Sequence, residues 1–121
     1  KHEKYLPSEI DVDKFERISP LLESVYVEMK ELSKKNPDEV LNKLKIKMVN
    51  RILEEIKSFL SSDPNVGFLE LLDEAALPSN SDTVLIVSQF RAILNQFKTR
   101  FYLYDSENSE TRWSTKDNPI C

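Results

Sequence analysis

The sequence is nearly without glycine, histidine and cysteine, with one of each among 121 residues: Gly67, His2 and Cys121. Glycine is the residue that most easily takes left-handed backbone conformations or lets a backbone approach a ligand closely. Its scarcity argues against a glycine-rich phosphate-binding loop and against the usual glycine-dependent hairpin turns. The composition instead favours long helices joined by Pro, Asn and Ser.

Residue types that commonly form catalytic and metal sites are equally rare in this sequence. His2 lies outside every predicted element, whereas a histidine base, triad or metal ligand is normally held on a rigid element. Candidate carboxylates on the helices lack the histidine partners that di-iron sites in helical bundles use. A single cysteine cannot form an intramolecular disulfide and fits a reducing compartment. We therefore expect no enzyme, no metal, no cofactor and a cytoplasmic location.

Long hydrophobic runs are missing too. No apolar segment approaches the ~18 residues that would suggest a membrane span, so we expect no membrane association. Hydrophobic residues make up 40% of the chain and charged residues 31%, which is typical of a globular domain. The net charge is −4, yet residues 34–57 carry seven basic and four acidic side chains, and residues 91–100 carry three basic and none acidic.

The periodicity of the apolar residues predicts a first long helix over residues 19–35, capped by Ser19 with Pro20 in its first turn. Residues 1–18 are expected to be an irregular or short-helical lead-in. A second helix over residues 37–60, capped by Asn36, has apolar positions over an arc of roughly 200°, wider than the ~100° stripe of a helix with one buried face. It is therefore expected to be the central helix.

A short helix near residues 64–76 and a last long helix over residues 82–104 complete the prediction. Residues 105–121 are polar and aperiodic, which predicts an extended or mobile tail. The predicted fold is all-α, an up-and-down bundle of three long helices plus one short helix in a single domain, residues 1–104. The predicted core residues are Leu22, Val25, Met29, Leu44, Met48, Ile52, Ile56, Phe59, Phe68, Leu72, Phe90, Leu94, Phe97 and Phe101.

Two polar stripes are candidates for contact with an anionic partner. Lys43, Lys47 and Arg51 recur every four residues and form one ridge on the second helix. Arg91 and Lys98 form a second stripe on the last helix. Basic side chains on an exposed ridge are what binding to nucleic-acid phosphates requires. A charged helix face is more often simply solvated, and the acidic blocks of the chain could also neutralise these residues.

Apolar residues off the main stripes are candidates for protein contact. Leu85 and Leu103 lie roughly opposite the apolar face of the last helix. They would be covered either by a partner or by the N-terminal segment or the tail. Lys45 falls within the apolar arc of the second helix, where its stem can pack while the ammonium reaches water, or where it could form a buried ion pair or an interface contact.

Because no set of catalytic residues is recognisable in the sequence, we expect the protein to act by binding through its surface. The leading hypothesis is a small, cofactor-free protein–protein interaction module (a regulator, an immunity or inhibitor protein, or an accessory subunit) that acts through exposed helix faces. Its partner would be another protein or a second copy of itself. The alternative is a nucleic-acid-binding accessory protein that uses the basic helix face. The sequence names neither the partner nor the biological process.

Overall fold

The computed structural model describes residues 5–120, so His2 and Cys121 lie outside the described residues. Within that range the chain is largely helical, with three α-helices, two short 3₁₀ helices and a two-stranded antiparallel hairpin. The elements in chain order are α1 (Glu9–Lys35), α2 (Lys43–Phe59), the 3₁₀ helices Pro64–Phe68 and Glu74–Ala76, α3 (Asn80–Phe101), β1 (Tyr102–Asp105) and β2 (Glu110–Trp113). The prediction of a purely helical bundle was therefore too simple.

Helix α1 begins ten residues before its predicted start. The Ser8 hydroxyl accepts a hydrogen bond from the Asp11 N–H, and the Asp11 carboxylate accepts one from the Ser8 N–H, which together form a capping box. Pro20 lies inside the helix rather than at its start. An interior proline costs one backbone hydrogen bond and about 3 kcal/mol. The helix continues through it because one buried stripe extends on both sides: Val12, Phe15, Leu22 and Met29.

Helix α2 begins at Lys43, six residues later than predicted. Asn36 caps the end of α1 instead, and Asn42 caps α2 by accepting from the Lys45 N–H at 2.9 Å. The intervening residues are bound to the start of α3: Leu41 N–H donates to Pro78 O at 2.9 Å. These backbone hydrogen bonds to a distant segment replace the helical bonds that the local sequence would otherwise favour.

The central helix is α1, not α2. Helix α1 packs against both α2 and α3, whereas α2 and α3 touch each other little. The gap between α2 and α3 is filled by the connector, residues 60–79, which buries Leu69 and Leu72. Only Pro64–Phe68 and Glu74–Ala76 of this connector are helical, so the predicted short helix at 64–76 is reduced to these two 3₁₀ turns.

Helix α3 ends at Phe101, and the chain turns into β1 where the sequence predicts three more helical residues. Strand β1 pairs with β2 in the register Tyr102 to Trp113 and Asp105 to Glu110. Ser109 supplies the left-handed backbone of this hairpin at φ 53°, and Leu77 does so at φ 52° in the connector. Scarcity of glycine therefore did not exclude a hairpin, because non-glycine residues take this conformation for roughly 1–2 kcal/mol each.

Most of the predicted core is confirmed. Phe90 and Ile56 are completely buried, and Val25 and Ile52 are half-buried against the core. Three predicted core residues are exposed instead: Leu44, Met48 and Phe68, the last of them 81% exposed on the first 3₁₀ turn. The core residues confirmed as buried are Leu22, Met29, Ile56, Phe59, Leu72, Phe90, Leu94, Phe97 and Phe101.

An aromatic cluster joins α1, α3 and the segment predicted to be a tail. The Phe97 ring lies 5.4 Å from that of Phe15, 5.3 Å from that of Phe101 and 5.8 Å from that of Trp113, measured between centroids. The Trp113 indole N–H also donates to Glu16 at 3.2 Å. Residues beyond 105 are thus packed on α1 through the far end of β2.

We expect Phe97→Ala to lower the free energy of unfolding by about 3–5 kcal/mol, because it removes a buried ring from the centre of this cluster. Phe68→Ala is the matched control: its exposed ring predicts a change within about 0.5 kcal/mol. Urea denaturation followed by circular dichroism measures both. Equal losses for the two variants would contradict this description of the core.

The hairpin carries a buried carboxylate, Asp105, whose partners stabilise its charged form. The Asn108 amide donates to it at 2.8 Å and the Arg112 guanidinium at 2.9 Å. These hydrogen bonds hold the pKa of Asp105 below its ordinary value, and the one from Asn108 has the largest effect. Arg112 also donates to the backbone carbonyls of Trp113 and Asn118, so this ion pair joins the hairpin to the segment that follows it.

A lowered carboxyl pKa contributes stability above the unfolded-state pKa, and that stability is lost as the pH falls through the folded-state pKa. We therefore expect the melting temperature of the native protein to exceed that of Asp105→Asn by a constant amount near neutral pH. The difference should shrink below about pH 4, where unfolded Asp is half protonated. Glu23→Gln, which removes a more exposed ion pair, should give a smaller difference. A difference that is independent of pH down to pH 2 would contradict the assignment.

Candidate functional site: an apolar groove between two helices

An apolar groove lies between α1 and α2. Two adjoining cavities of about 300 and 460 Å³ open there, and the side chains of Met48 and Ile52 line both. Met48 is 59% exposed, and Leu21 across the groove is 53% exposed. We call this surface the α1–α2 groove. Its apolar residues are Ile18, Leu21, Val25, Met29 and Leu32 on α1, and Met48, Val49 and Ile52 on α2.

The groove follows from the wide apolar arc of α2. One half of the arc is buried in the core, through Ile46, Val49, Leu53 and Ile56. The other half, Leu44, Met48 and Ile52, recurs every four residues on an adjacent face. Leu44 is 67% exposed and Ile52 is half-buried. The arc was predicted to have neighbours on two sides; α1 and the connector cover part of it, and the face with Leu44 and Met48 stays exposed.

Charged side chains of both signs line the groove. Lys45 and Glu28 line the cavity nearer the start of α2. Arg51, Glu54 and Glu55 line the cavity nearer its end. Lys45 is exposed and forms no ion pair with a residue in 5–120, so of the roles predicted for it the buried ion pair is wrong. Each of the two cavities is therefore lined by charges of both signs.

The ridge of Lys43, Lys47 and Arg51 is exposed on α2, and none of the three forms an ion pair with a residue in 5–120. Asn50, beside them, has a structural role instead. Its amide donates to Leu72 O and accepts from Leu72 N–H, both at 2.9 Å. Lys57 donates to Leu69 O at 2.6 Å. Two polar side chains of α2 therefore hold the connector. Their spacing of seven residues, about two helical turns, is the sequence signal that both lie on the same face of α2.

The second predicted basic stripe is occupied within the molecule. Arg91 forms a bidentate pair with Glu23 at 2.7 and 3.2 Å, and its guanidinium lies 4.5 Å from the Tyr26 ring centroid. This hydrogen bond lowers the pKa of Glu23. The Lys98 ammonium lies 5.2 Å from the Tyr102 ring centroid. Arg91 and Lys98 thus both have partners within the molecule. They lie on α3 and do not form one surface with the ridge on α2.

The two apolar candidates on the last predicted helix are separated by the structure. Leu85 is 62% exposed on α3. Leu103 is half-buried in β1, where it pairs with Arg112. Leu103 thus has a neighbour in the segment once predicted to be a tail, whereas Leu85 has an open surface around it. Neither residue belongs to the α1–α2 groove.

Among residues 5–120, no cluster of three or more His, Cys, Asp or Glu side chains is arranged to hold a metal ion. None of the helices in the same range combines the length and hydrophobicity that a bilayer span needs. The comparisons with known proteins gave no match to a family model, to a curated protein or to a solved structure.

We expect Asn50→Ala to lower the free energy of unfolding by about 1–3 kcal/mol, because it leaves the Leu72 N–H and C=O without their partner. The Leu72 amide should exchange its hydrogen faster as the connector detaches. Arg51→Ala, at the next position, is the control and should change stability by less than about 0.5 kcal/mol. Calorimetry and hydrogen exchange measure the two effects, and unchanged exchange at Leu72 would contradict a structural role for Asn50.

Proposed function

We propose that this protein is a protein–protein interaction module whose docking surface is the α1–α2 groove. The observation that carries the proposal is Met48 of α2, which is exposed and lines the same cavity as the exposed Leu21 of α1. The exposed Leu44 lies one turn before Met48 on α2. Scattered single apolar residues on a surface are ordinary, but contiguous ones that line a groove are typical of an interaction site.

The shape of the groove favours a helical occupant. Two parallel ridges with a furrow between them accept an amphipathic helix, whose anchors recur at i, i+3, i+4 and i+7. Helix α2 has 17 residues, which is about 25 Å at 1.5 Å per residue. An occupant of four to five turns would match that length. Burying side chains such as Met48 and Leu44 contributes on the order of 1 kcal/mol each, because they are already partly covered.

The exposed side of α3 is a weaker candidate. It displays Leu85, and Phe68 of the connector extends beside Ala92 along a cavity of about 320 Å³. Gln89 and Gln96 share that lining. The α1–α2 groove is favoured as the docking surface because eight apolar residues line its two adjoining cavities, whereas the α3 cavity is lined by four: Phe68, Leu69, Ala92 and Ile93.

Nucleic-acid binding is supported by fewer residues. Of the five basic candidates, Arg91 and Lys98 are engaged within the molecule, which leaves Lys43, Lys47 and Arg51 on α2. Glu54 follows one turn after Asn50 at the end of the same ridge. Three cations beside an acidic residue would neutralise few phosphates, and phosphate neutralisation supplies most non-specific affinity. We therefore favour the protein-docking role, in which this module acts as a regulator, an inhibitor or an accessory subunit.

The test compares binding by the native protein with binding by Met48→Glu. A carboxylate at the centre of the groove would be desolvated by any occupant, so the variant should lose at least about tenfold in affinity. Affinity capture followed by quantitative mass spectrometry identifies bound proteins, including additional copies of this chain, and titration then measures their affinities.

Leu85→Glu is the matched control, because it places the same charge at an equally exposed apolar position on α3. It should bind as the native protein does. Retention of every bound protein by Met48→Glu, with both variants folded by circular dichroism, would overturn the assignment of the groove.

A further inference from the structure

We infer that Phe68 is a lid that closes over the cavity between the connector and α3, with Gly67 as its hinge. The structure shows the open form, in which the Phe68 side chain is 81% exposed. The lid lies on a different surface from the α1–α2 groove and does not depend on the docking role proposed there. Three features carry the inference: the position of the single glycine, the geometry of the first 3₁₀ turn and the lining of the cavity.

Gly67 lies where the open form gives no reason for a glycine. Its φ is not positive, and a Cβ placed on it would meet no atom within 4 Å. Alanine would fit there without strain and would lose less conformational freedom on folding. Yet the one glycine of the chain directly precedes Phe68, the most exposed large apolar side chain in residues 5–120. A second form, in which Gly67 takes a left-handed backbone, gives this glycine a purpose.

The 3₁₀ turn Pro64–Phe68 directs the Phe68 ring outward in the open form. The Leu69 N–H donates to the Val66 carbonyl at 3.0 Å. Residues three apart are eclipsed in such a turn, and here both pack toward the core: Leu69 is buried and Val66 is half-buried. Phe68 lies between them and therefore faces solvent. A change in the backbone at Gly67 is what turns Phe68 toward α3.

Fixed points on either side confine the movement to a few residues. Before the hinge, the Asp63 carboxylate accepts a hydrogen bond from the Asn65 N–H at 2.8 Å. After it, the Lys57 ammonium donates to the Leu69 carbonyl at 2.6 Å. A hinge needs only a few residues that absorb the change in φ and ψ, and Gly67 lies midway between these two anchors.

The cavity beside Phe68 is large enough to receive its ring. Its volume is about 320 Å³, and a cavity of about 150 Å³ already holds a benzene molecule. Closure places the ring against Ala92, which is exposed in the open form, and so removes apolar surface from water. Gln89 and Gln96 also line the cavity. Their partial desolvation opposes closure, which keeps the closed form in the minority.

The lid controls which surface the α3 side of the molecule presents. The open form displays an aromatic ring beside Ala92, and the closed form withdraws that ring from solvent. A ligand that binds the open form better than the closed form would shift the population toward it, by as much as its two affinities differ.

Relaxation dispersion of methyl and aromatic NMR signals in the full chain tests the lid, because it detects a minor form that exchanges in microseconds to milliseconds. The native protein should show dispersion at the Phe68 ring and at the Ala92 methyl. In the minor form the Ala92 methyl should be displaced upfield, since the ring then lies over it. Gly67→Ala should lower the minor population about fivefold or more, because a Cβ disfavours the left-handed backbone. The variant should stay folded, since the open form accepts that Cβ.

Phe68→Leu separates closure of the ring from motion of the connector alone: it should keep the exchange and lose the upfield displacement at Ala92. Ser61→Ala, at another exposed position of the connector, is the matched control and should behave as the native protein does. A native protein without dispersion at Ala92, whose methyl shift Gly67→Ala also leaves unchanged, would overturn the inference. Dispersion that persists unchanged in Gly67→Ala, or an upfield displacement that persists in Phe68→Leu, would overturn it as well.

Discussion

The central position of α1 is the constraint on which the rest of the structure depends. One buried stripe extends along its 27 residues from Val12 to Met29, through Pro20. Helix α3 packs against one side and α2 against another, while α2 and α3 barely touch. Burial of a long apolar stripe outweighs the single hydrogen bond that the proline removes. The groove, the connector and the packing of the hairpin all follow from this arrangement.

Helix α2 packs closely against a helix on one side only, so two of its other apolar faces are not covered by a helix. The connector covers the face toward α3, and Asn50 and Lys57 hold its backbone in place. Nothing in residues 5–120 covers Leu44 and Met48 on the face beyond α1. An apolar stripe that is left open costs solubility, so its presence at the edge of a groove is the physical basis for proposing a partner there.

The candidate site was only partly predictable from the sequence. The wide apolar arc of α2 was visible, and so was the ridge of Lys43, Lys47 and Arg51. The arc was interpreted as burial, however, since periodicity reports a face but does not say which neighbour covers it. The same limit applies to Asn50, which lies beside the ridge and binds the backbone of Leu72, 22 residues away in sequence.

By itself the sequence determined the helical character of the chain, the buried stripes of α1 and α3, and the absence of a histidine- or cysteine-based site within residues 5–120. These are local properties of spacing and composition. Only the tertiary structure decided that α1 is central, that Val40 and Leu41 pair with the start of α3 rather than extend α2, and that β2 pairs with β1 and Trp113 joins the aromatic cluster. Each of these depends on contacts between distant residues, whose free energies outweigh the local preferences of the segments that form them.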